Sequence, residues 1–292
     1  MAFPSASTLV TFPHGSTQGS STVLAAVPLD GGALGVIAET TPFHPLDHSW
    51  PDQPGDRGTL EHEGTRTAVL DCVTGAAGPD GEFATGAEIP VRRGDPNWTW
   101  LAVHVVEPCI DPAELVGRPV VLRVDVQRRA ALSASHTGCH LLAFALNEAL
   151  ADRWSKPARI DALDSPDFDA LAMDSSRMDE HASTDRYRIG KSLRKKGFDP
   201  DGLREALPTV ADRVNARLAE WIAADAPVRI DAQGPELTAR RRWVCQVPQG
   251  TAAVDCGGTH VAHLGELASL TTSFSLSEDG TELVAVTTPK RA

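Results

Sequence analysis

The chain has no long hydrophobic run and few cysteines. No stretch of its 292 residues approaches the roughly 18 consecutive apolar residues that a membrane-spanning helix needs. The first residues, Met1-Ala-Phe-Pro4, lack the basic segment followed by an apolar segment that marks a secretory signal. The five cysteines are an odd number and widely spaced, which favours thiols kept reduced for packing or metal binding. We therefore expect a cytoplasmic protein with no membrane partner.

Basic residues are scarce in the first part of the chain. Residues 1–117 hold four Lys or Arg against 15 Asp or Glu, and the net charge of the whole chain is −12. The remaining residues are close to neutral, and residues 186–217 carry nine basic side chains against four acidic ones. Such a patch can face phosphate groups despite the acidic total. A solvated helix face and loop explains the same charges, and the patch alone favours that interpretation.

Long helical periodicity is absent from the first 112 residues, which are rich in Gly, Pro, Thr and Val. Short extended runs separated by turn clusters predict strands at Ser21–Val27, Ala33–Glu39, Thr67–Val73 and Thr99–Val106. Many short strands must close or stack to avoid open edges. The sequence therefore predicts a small β-barrel domain, or a sandwich, over residues 1–115.

The second part, residues 116–292, alternates extended and helical patterns. An apolar strand at Val120–Val126 precedes a helical pattern over Ala130–Trp154, and a second helical pattern covers Leu203–Ala224. Further strands are predicted at Val228–Asp231, Arg241–Val247, Leu267–Leu276 and Thr281–Thr287. This order indicates an α+β fold, an α/β sandwich with helices packed on an antiparallel sheet. Residues 157–185, rich in Pro and Asp, are interpreted as an irregular crossing or an insertion.

Two pairs of metal-ligating residues are each spaced by four positions. His136-Thr-Gly-Cys-His140 lies at the start of a helical pattern, so both imidazoles leave the same helix face. Cys256-Gly-Gly-Thr-His260 places a thiol and an imidazole across a Gly pair between predicted strands. Either pair alone is more often a surface or capping feature than a metal site. Together they form a His₃Cys set, which suits one zinc ion per chain because zinc accepts nitrogen and thiolate ligands together.

Several residues near these pairs have competing interpretations. Thr259 and the backbone of Gly257 and Gly258 could line a substrate pocket, and a purely conformational role for the glycines is an equal alternative. His263 could act as a base behind the metal ligands, but an exposed or capping role is favoured. Cys139 is a candidate nucleophile, but a small buried thiol on a helix is favoured.

The same motifs resemble those of a known family. The resemblance is carried by Val124-Asp-Val-Gln-Arg-Arg129, both ligand pairs, Gly265-Glu266, and the N-terminal segments Phe43-His44-Pro45 and Gln53-Pro-Gly-Asp-Arg-Gly58. Residues Arg186–Ile230 match the family's second helix and strand in outline, so the resemblance covers nearly the whole chain. The family is the alanyl-tRNA editing proteins, free-standing relatives of the alanyl-tRNA synthetase editing domain. The editing domain of threonyl-tRNA synthetase is a more distant resemblance.

The resemblance implies a zinc-dependent hydrolase that cleaves the ester of mischarged tRNA in trans, with seryl or glycyl groups on the alanine tRNA as the expected substrates. It implies an N-terminal barrel and a C-terminal editing domain. The expected substrate-binding residues are Gln53, Gly257, Gly258 and Thr259, and Thr259 is also the candidate catalytic side chain. The densest basic run is expected to hold the tRNA through Lys191, Arg194, Lys195 and Lys196. No DNA partner is expected.

One loop departs from the family pattern. The family usually has three glycines before its Gln-Pro pair, whereas this chain has His48-Ser-Trp-Pro-Asp52. Bulky and acidic residues cannot let the backbone approach a substrate as glycines do. Threonine, or an analogue of it, is therefore the alternative acyl group. Two further alternatives stay open: a zinc-stabilised RNA-binding module without catalysis, and a hydrolase of small aminoacyl esters or amides.

Overall fold

The computed structural model describes residues 3–107 and 111–292. Cys109, one of the five cysteines, and the first two residues of the N-terminal segment lie outside the described residues. The chain divides into two compact units. Unit 1 comprises Met1–Arg129, Ala232–Arg241 and Gly257–Thr259, and unit 2 comprises Ala130–Asp231, Arg242–Cys256 and His260–Ala292. The predicted domain boundary after residue 115 stays a prediction.

Unit 1 is built mainly from antiparallel strands. Its described elements are β1 (Leu9–Val10), β2 (Gln18–Pro28), β3 (Leu34–Ala38), β4 (Thr40–Thr41), β5 (Gly58–His62), β6 (Thr65–Ala77), β7 (Phe83–Thr85), β8 (Thr99–Val106), a short helix α1 (Pro112–Leu115) and β9 (Pro119–Val124). Seven of these strands form one sheet in the order β5-β9-β2-β3-β8-β6-β7, and β5 also pairs with β6. The four predicted strands are present. The β character of this part is confirmed, while its closure into a small barrel stays a prediction.

A buried ion pair in unit 1 joins two of the sequence motifs. Nε of Arg129 donates to both carboxylate oxygens of Asp56 at 2.9 and 3.1 Å, and Nη2 of Arg129 donates to the Pro42 carbonyl at 2.8 Å. The exposed fractions of Arg129 and Asp56 are only 6% and 1%. Removing one partner of such a pair leaves an uncompensated buried charge, which costs about 3–5 kcal/mol. Loss of either partner alone should therefore destabilise unit 1.

The remaining elements lie mostly in unit 2. They are α2 (Val126–Ala149), α3 (Phe168–Ala172), β10 (Met173–Met178), β11 (Ser183–Arg188), α4 (Lys191–Lys195), α5 (Leu203–Ala223), β12 (Val228–Ala232), β13 (Arg241–Val247), β14 (Gly250–Asp255), β15 (Leu267–Leu276) and β16 (Glu282–Arg291). One sheet has the order β10-β11-β16-β15 with antiparallel pairing, and the other has the order β12-β13-β14. The mixed helix and antiparallel-sheet character of this part is confirmed.

Helix α5 is attached to β15 by a side-chain amide. Nδ2 of Asn215 donates to the Thr272 carbonyl at 2.9 Å, and the Thr272 amide donates to Oδ1 of Asn215 at 2.7 Å. Strand β15 is at the edge of its sheet, and the Asn215 side chain supplies at Thr272 the two hydrogen bonds that a neighbouring strand would make. The apolar face of α5, with Val214, Leu218 and Trp221 fully buried, packs into the core of unit 2.

The interpretation of residues 157–185 as an irregular crossing was wrong for residues 168–185. These contain α3, β10 and the start of β11, and the two strands form an antiparallel hairpin. Residues 157–167 contain no helix or strand, and the alternative of an insertion stays a prediction. Asn147 of α2 holds this tract: its Nδ2 donates to Asp161 at 2.9 Å and its Oδ1 accepts the Asp169 amide at 2.8 Å. The central residues of β10 are polar, so this strand lacks the apolar alternation by which strands are recognised.

None of the helices in residues 3–107 and 111–292 combines the length and the apolar character needed to cross a bilayer.

Candidate metal centre

Helix α2 carries two of the predicted ligands in its middle. Asp125 caps its first turn, because the Asp125 carboxylate accepts the amides of Gln127 and Arg128 at 3.0 and 3.1 Å. The helix consequently begins four residues before the predicted start, and His136 and His140 lie in its interior rather than at its start. Their ring centroids are 4.8 Å apart, as expected for side chains one turn apart on the same face.

Gly138, between the two histidines, allows a close approach of α2 to β15. A Cβ atom at this position would lie 2.9 Å from Cδ1 of Leu270, which is closer than real Cβ contacts allow. Glycine inside a helix costs about 1 kcal/mol relative to alanine. Packing against β15 therefore explains a residue that helix propensity disfavours, and it fixes the part of α2 that carries the ligands.

The second ligand pair lies in the loop between β14 and β15, as predicted. Sγ of Cys256 is 3.3 Å from Nε2 of His136 and 3.3 Å from Nε2 of His260. One ligand atom from each of four side chains lies within 4.8 Å of the others, the four being His136, His140, Cys256 and His260. Two sequence segments about 120 residues apart thus converge on one cluster that could hold one metal ion.

The donor set and its spacing fit zinc. Tetrahedral coordination, with Zn–S of about 2.3 Å and Zn–N of about 2.0–2.1 Å, places sulfur and nitrogen roughly 3.5 Å apart. The two observed separations of 3.3 Å are close to that edge length. Nε2 of His140 is buried and has no hydrogen-bond partner among the described residues. Burial lowers the pKa of His140 to about 4, so its imidazole is neutral at pH 7, the form that binds a metal.

Thr137 positions one of the ligands. Its Oγ1 lies 3.2 Å from Nδ1 of His260 and accepts the Val261 amide, also at 3.2 Å. A histidine that binds a metal through Nε2 carries its proton on Nδ1, and Oγ1 of Thr137 is placed to accept that proton. The sequence analysis missed this role, although Thr137 directly follows His136.

An aromatic wall covers one side of the cluster. The ring of Trp243, which is fully buried, lies 5.2 Å from that of His140 and 6.0 Å from that of His260. Phe144 stacks on Trp243 with the ring centroids 6.3 Å apart. Apolar rings keep water from this side and lower the local dielectric, which strengthens electrostatic interactions at the ligands.

A cavity of about 470 Å³ in unit 2 reaches His140. Its lining is rich in carboxylates and also contains two arginines, the polar lining residues being Asn147, Arg159, Asp161, Asp167, Asp169, Arg242 and Asp255. Burial and the nearby Asp185 raise the pKa of Asp169 to about 7. The cavity volume lies in the range of small-molecule sites.

Gln53 and Thr259, two predicted substrate-binding residues in unit 1, are hydrogen-bonded to each other. Nε2 of Gln53 donates to Oγ1 of Thr259 at 2.9 Å, and the Thr259 amide donates to Oε1 of Gln53 at 2.9 Å. Both residues are buried. Because Thr259 is joined to His260 by a peptide bond, Gln53 fixes the residue next to a candidate ligand. A substrate contact of either residue stays a prediction.

Gly257 has open space where a side chain would be. A Cβ atom at this position would meet no heavy atom within 4 Å, and the backbone does not adopt the left-handed conformation. Neither packing nor backbone strain therefore explains a glycine beside Cys256. The predicted substrate-binding roles of Gly257 and Gly258 stay predictions.

The predicted tRNA-binding tract forms α4 and the residue after it. Lys191, Lys195 and Lys196 are exposed, and none of them forms an ion pair within the described part of the chain. Arg194 pairs with Asp201 at 3.1 Å. Other arginines of the basic region are also paired with carboxylates, namely Arg186 with Glu282, Arg188 with Asp174, Arg213 with Asp152, and Arg217 with Glu148 and Glu220. Arg204 donates only to backbone carbonyls, so the positive charge that is not paired with a carboxylate among the described residues lies on Arg204 and the three lysines.

The favoured interpretations of His263 and Cys139 are confirmed. His263 caps the short turn Leu264–Glu266 and is exposed, and hydrogen bonding to Asp225 raises its pKa. Cys139 is buried, and its Sγ donates to Oδ1 of Asp185 at 3.4 Å.

Comparison with known proteins agrees with the resemblance. An alanine–tRNA ligase of Chloroflexus aurantiacus is 25% identical over 261 residues, which cover 81% of this chain. The alanine–tRNA ligase of Chlorobaculum tepidum is 28% identical over 257 residues, and that of Cereibacter sphaeroides is 26% identical over 238 residues. The chain is a distant relative of alanine–tRNA ligases. The matches span only 23–24% of the length of these ligases. No family model matches the chain.

Proposed function

We propose that the chain hydrolyses the aminoacyl ester of mischarged tRNA and uses one zinc ion held by His136, His140, Cys256 and His260. The convergence of these four ligands is the observation that carries the proposal. The relatives are named for alanine and tRNA, which supports a tRNA substrate. The pairing of β5 with both β9 and β6 supports our interpretation of unit 1 as a small barrel.

Ester hydrolysis requires a polarised carbonyl and an activated water. A bound zinc ion with an exchangeable or fifth coordination position would supply Lewis-acid polarisation and lower the pKa of a bound water to about 7. The chain's own residues hold the ligands in position for this chemistry. Thr137 orients His260, Gln53 fixes the adjacent Thr259, and Trp243 excludes water from one side of the cluster.

The cavity beside His140 supports an aminoacyl substrate. An aminoacyl ester carries a protonated amino group, which carboxylates attract. Of the four aspartates in the lining, Asp167 is paired with Arg159 and Asp169 has a raised pKa, so Asp161 and Asp255 are the carboxylates offered to that group. The cavity volume of about 470 Å³ also leaves room for the side chain of the acyl group.

Serine and glycine on the alanine tRNA are the acyl groups that the proposal favours. The changed loop before Gln53 keeps threonine, or an analogue of it, as the alternative acyl group. A polar side chain is favoured, because a site built to bind a polar group strongly rejects amino acids that lack that group. Hydrolysis rates of seryl, glycyl and threonyl esters on the alanine and threonine tRNAs decide between them. A clear preference for seryl or glycyl esters on the alanine tRNA excludes threonine.

A zinc-stabilised RNA-binding module is the second candidate function, because four protein ligands are also the number found in closed structural sites. His136→Ala separates the two functions. Loss of hydrolysis with retained secondary structure and retained tRNA binding supports catalysis, whereas tRNA binding without any hydrolysis by the wild type supports the module. A small-ester hydrolase, the third candidate, would show activity that does not depend on salt.

A further inference from the structure

The loop at residues 47–53 in unit 1 presents an exposed indole on an ordered backbone. Trp50 exposes 44% of its surface. The Asp47 carboxylate accepts the amides of Ser49 and Trp50 at 2.7 and 3.3 Å, and it accepts the Ser49 hydroxyl at 2.6 Å. Nε of Arg93 holds the other oxygen of the same carboxylate at 3.0 Å. The backbone that carries Trp50 is therefore fixed on its N-terminal side.

The C-terminal side of the loop is also fixed. The Asp52 amide donates to the Trp50 carbonyl at 2.9 Å, and the Gln53 amide donates to the Asp52 carboxylate at 2.7 Å. Pro51, between them, restricts its own φ and leaves the preceding residue little freedom. An aromatic ring on such a backbone loses little conformational entropy when it binds a ligand.

Trp50 is connected to one candidate metal ligand by a short path along the chain. It lies three positions before Gln53, so their Cα atoms lie at most about 11 Å apart. Gln53 is bonded through its side chain to Thr259, which precedes His260. The amino acid of a charged tRNA is esterified to the terminal ribose. If the ester reaches His260, the unpaired nucleotides next to that ribose are therefore the part of the RNA that this path brings within reach of the loop.

Basic side chains are scarce in the N-terminal segment that carries this loop. Residues 1–117 contain only four basic side chains. Arg93, which contacts this loop, is paired with Asp47. Stacking of a base on an aromatic ring does not require positive charge and tolerates any base. Trp50 offers this interaction in an acidic segment of the chain.

We propose that Trp50 stacks on an unpaired nucleobase at the 3′ end of the substrate RNA. This inference rests on the proposed function and adds a specific contact to it. The indole that replaces the usual glycine then contributes to RNA affinity, rather than to the choice of the acyl group.

The test compares Trp50→Ala and Trp50→Phe with the wild type in binding uncharged alanine tRNA, with and without its unpaired 3′ nucleotides. Uncharged tRNA carries no acyl group, so any effect is assigned to the nucleotides. Trp50→Ala is expected to weaken binding of the full tRNA roughly 5- to 100-fold without changing the salt dependence, and Trp50→Phe to restore most of the affinity. Leu70→Ala, which removes a side chain with 43% exposure in the same unit, is the matched control.

Removal of the 3′ nucleotides should abolish the difference between Trp50→Ala and wild type, because the two changes remove the same contact. Equal binding of the full tRNA by Trp50→Ala and wild type overturns the inference. A Trp50→Ala defect that persists with the shortened tRNA also overturns it, since the contact then lies elsewhere. Hydrolysis of mischarged tRNA by the wild type tests the proposed function separately. Wild-type protein that neither binds nor hydrolyses charged tRNA overturns the proposed function and this inference together.

Discussion

The hydroxyl oxygen of Thr137 lies 3.2 Å from Nδ1 of His260, although the two residues are 123 positions apart in the chain. The same helix turn that presents His136 and His140 therefore also supplies a partner for a third candidate ligand. The Val261 amide donates to the same oxygen, so the loop that carries His260 is attached to α2 through the ring of His260 and through the backbone of the next residue. This contact connects the two ligand pairs before any metal binds.

Thr137→Val tests this positioning. Valine keeps the shape of threonine but removes the acceptor for His260, and loss of such a partner typically reduces metal affinity 10- to 100-fold. Thr137→Ser should retain near-normal affinity because it keeps the hydroxyl. Competition with a chromophoric zinc chelator measures both variants. Wild-type affinity in Thr137→Val would show that the contact has no role in the site.

The three lysines of the α4 tract should carry its phosphate attraction. Changing Lys191, Lys195 and Lys196 to Gln is expected to weaken tRNA binding and to reduce the slope of log affinity against log salt by up to about 3, roughly one for each lost phosphate contact. Arg194→Gln is the matched control, because Arg194 is paired with Asp201 and should contribute less. Zinc content should not change. An unaltered salt slope in the triple variant removes this surface from the interface.

Gly257→Ala tests whether the open space beside Cys256 is used by substrate. The added methyl group meets no protein atom, so the melting temperature should stay close to that of the wild type. If substrate occupies the space, kcat/KM for mischarged tRNA falls roughly tenfold or more, because small misplacements at a reacting centre are costly. Gly190→Ala, which adds only an ordinary contact, serves as the control. Full activity of Gly257→Ala would show that substrate does not occupy the space beside Cys256.

Asp185 should make the stability of the chain decrease with increasing pH. Burial raises the pKa of this fully buried carboxyl from its ordinary value of 3.8 to about 6. Because the folded state binds the proton more tightly, the stabilising contribution is complete below about pH 4 and is lost as the pH rises through 6. The shift corresponds to about 3 kcal/mol.

Urea unfolding at pH 4 and pH 8 measures this effect. The free energy of unfolding of Asp185→Asn should depend less on pH than that of the wild type. Asp212→Asn, a change at an exposed position on α5, should leave the pH dependence as it is. An identical pH dependence in Asp185→Asn and the wild type would contradict the prediction.

Sequence patterns were sufficient where the signal is local. The four-residue spacing of the ligands indicated the cluster, and apolar periodicity located α2 and α5 to within a few residues. The hairpin of β10 and β11 was missed because residues such as Asp174, Ser175 and Ser176 carry no apolar alternation. The hairpin is held in a sheet because β11 pairs with β16, which lies about 100 residues further along the chain.

Contacts between distant residues could not be predicted from one sequence. Arg129 and Asp56 both stood within recognised motifs, but their pairing across 73 residues is a property of the folded chain. The basic region shows the same limit. Five of its six arginines are paired with acids such as Asp174 and Glu282, so the free charge is smaller than the local count suggested.

Metal-dependent hydrolysis of mischarged tRNA is the central claim, and reconstitution of chelator-treated protein tests it most directly. Wild-type protein from which a chelator has removed the metal should not hydrolyse alanine tRNA mischarged with serine. One equivalent of zinc should restore hydrolysis. Cys256→Ser should bind zinc more weakly and recover little activity at the same zinc concentration, while its circular dichroism spectrum matches that of the wild type. Hydrolysis that continues undiminished in the chelated wild type, or a wild type that binds zinc and tRNA but never cleaves the ester, would contradict the account.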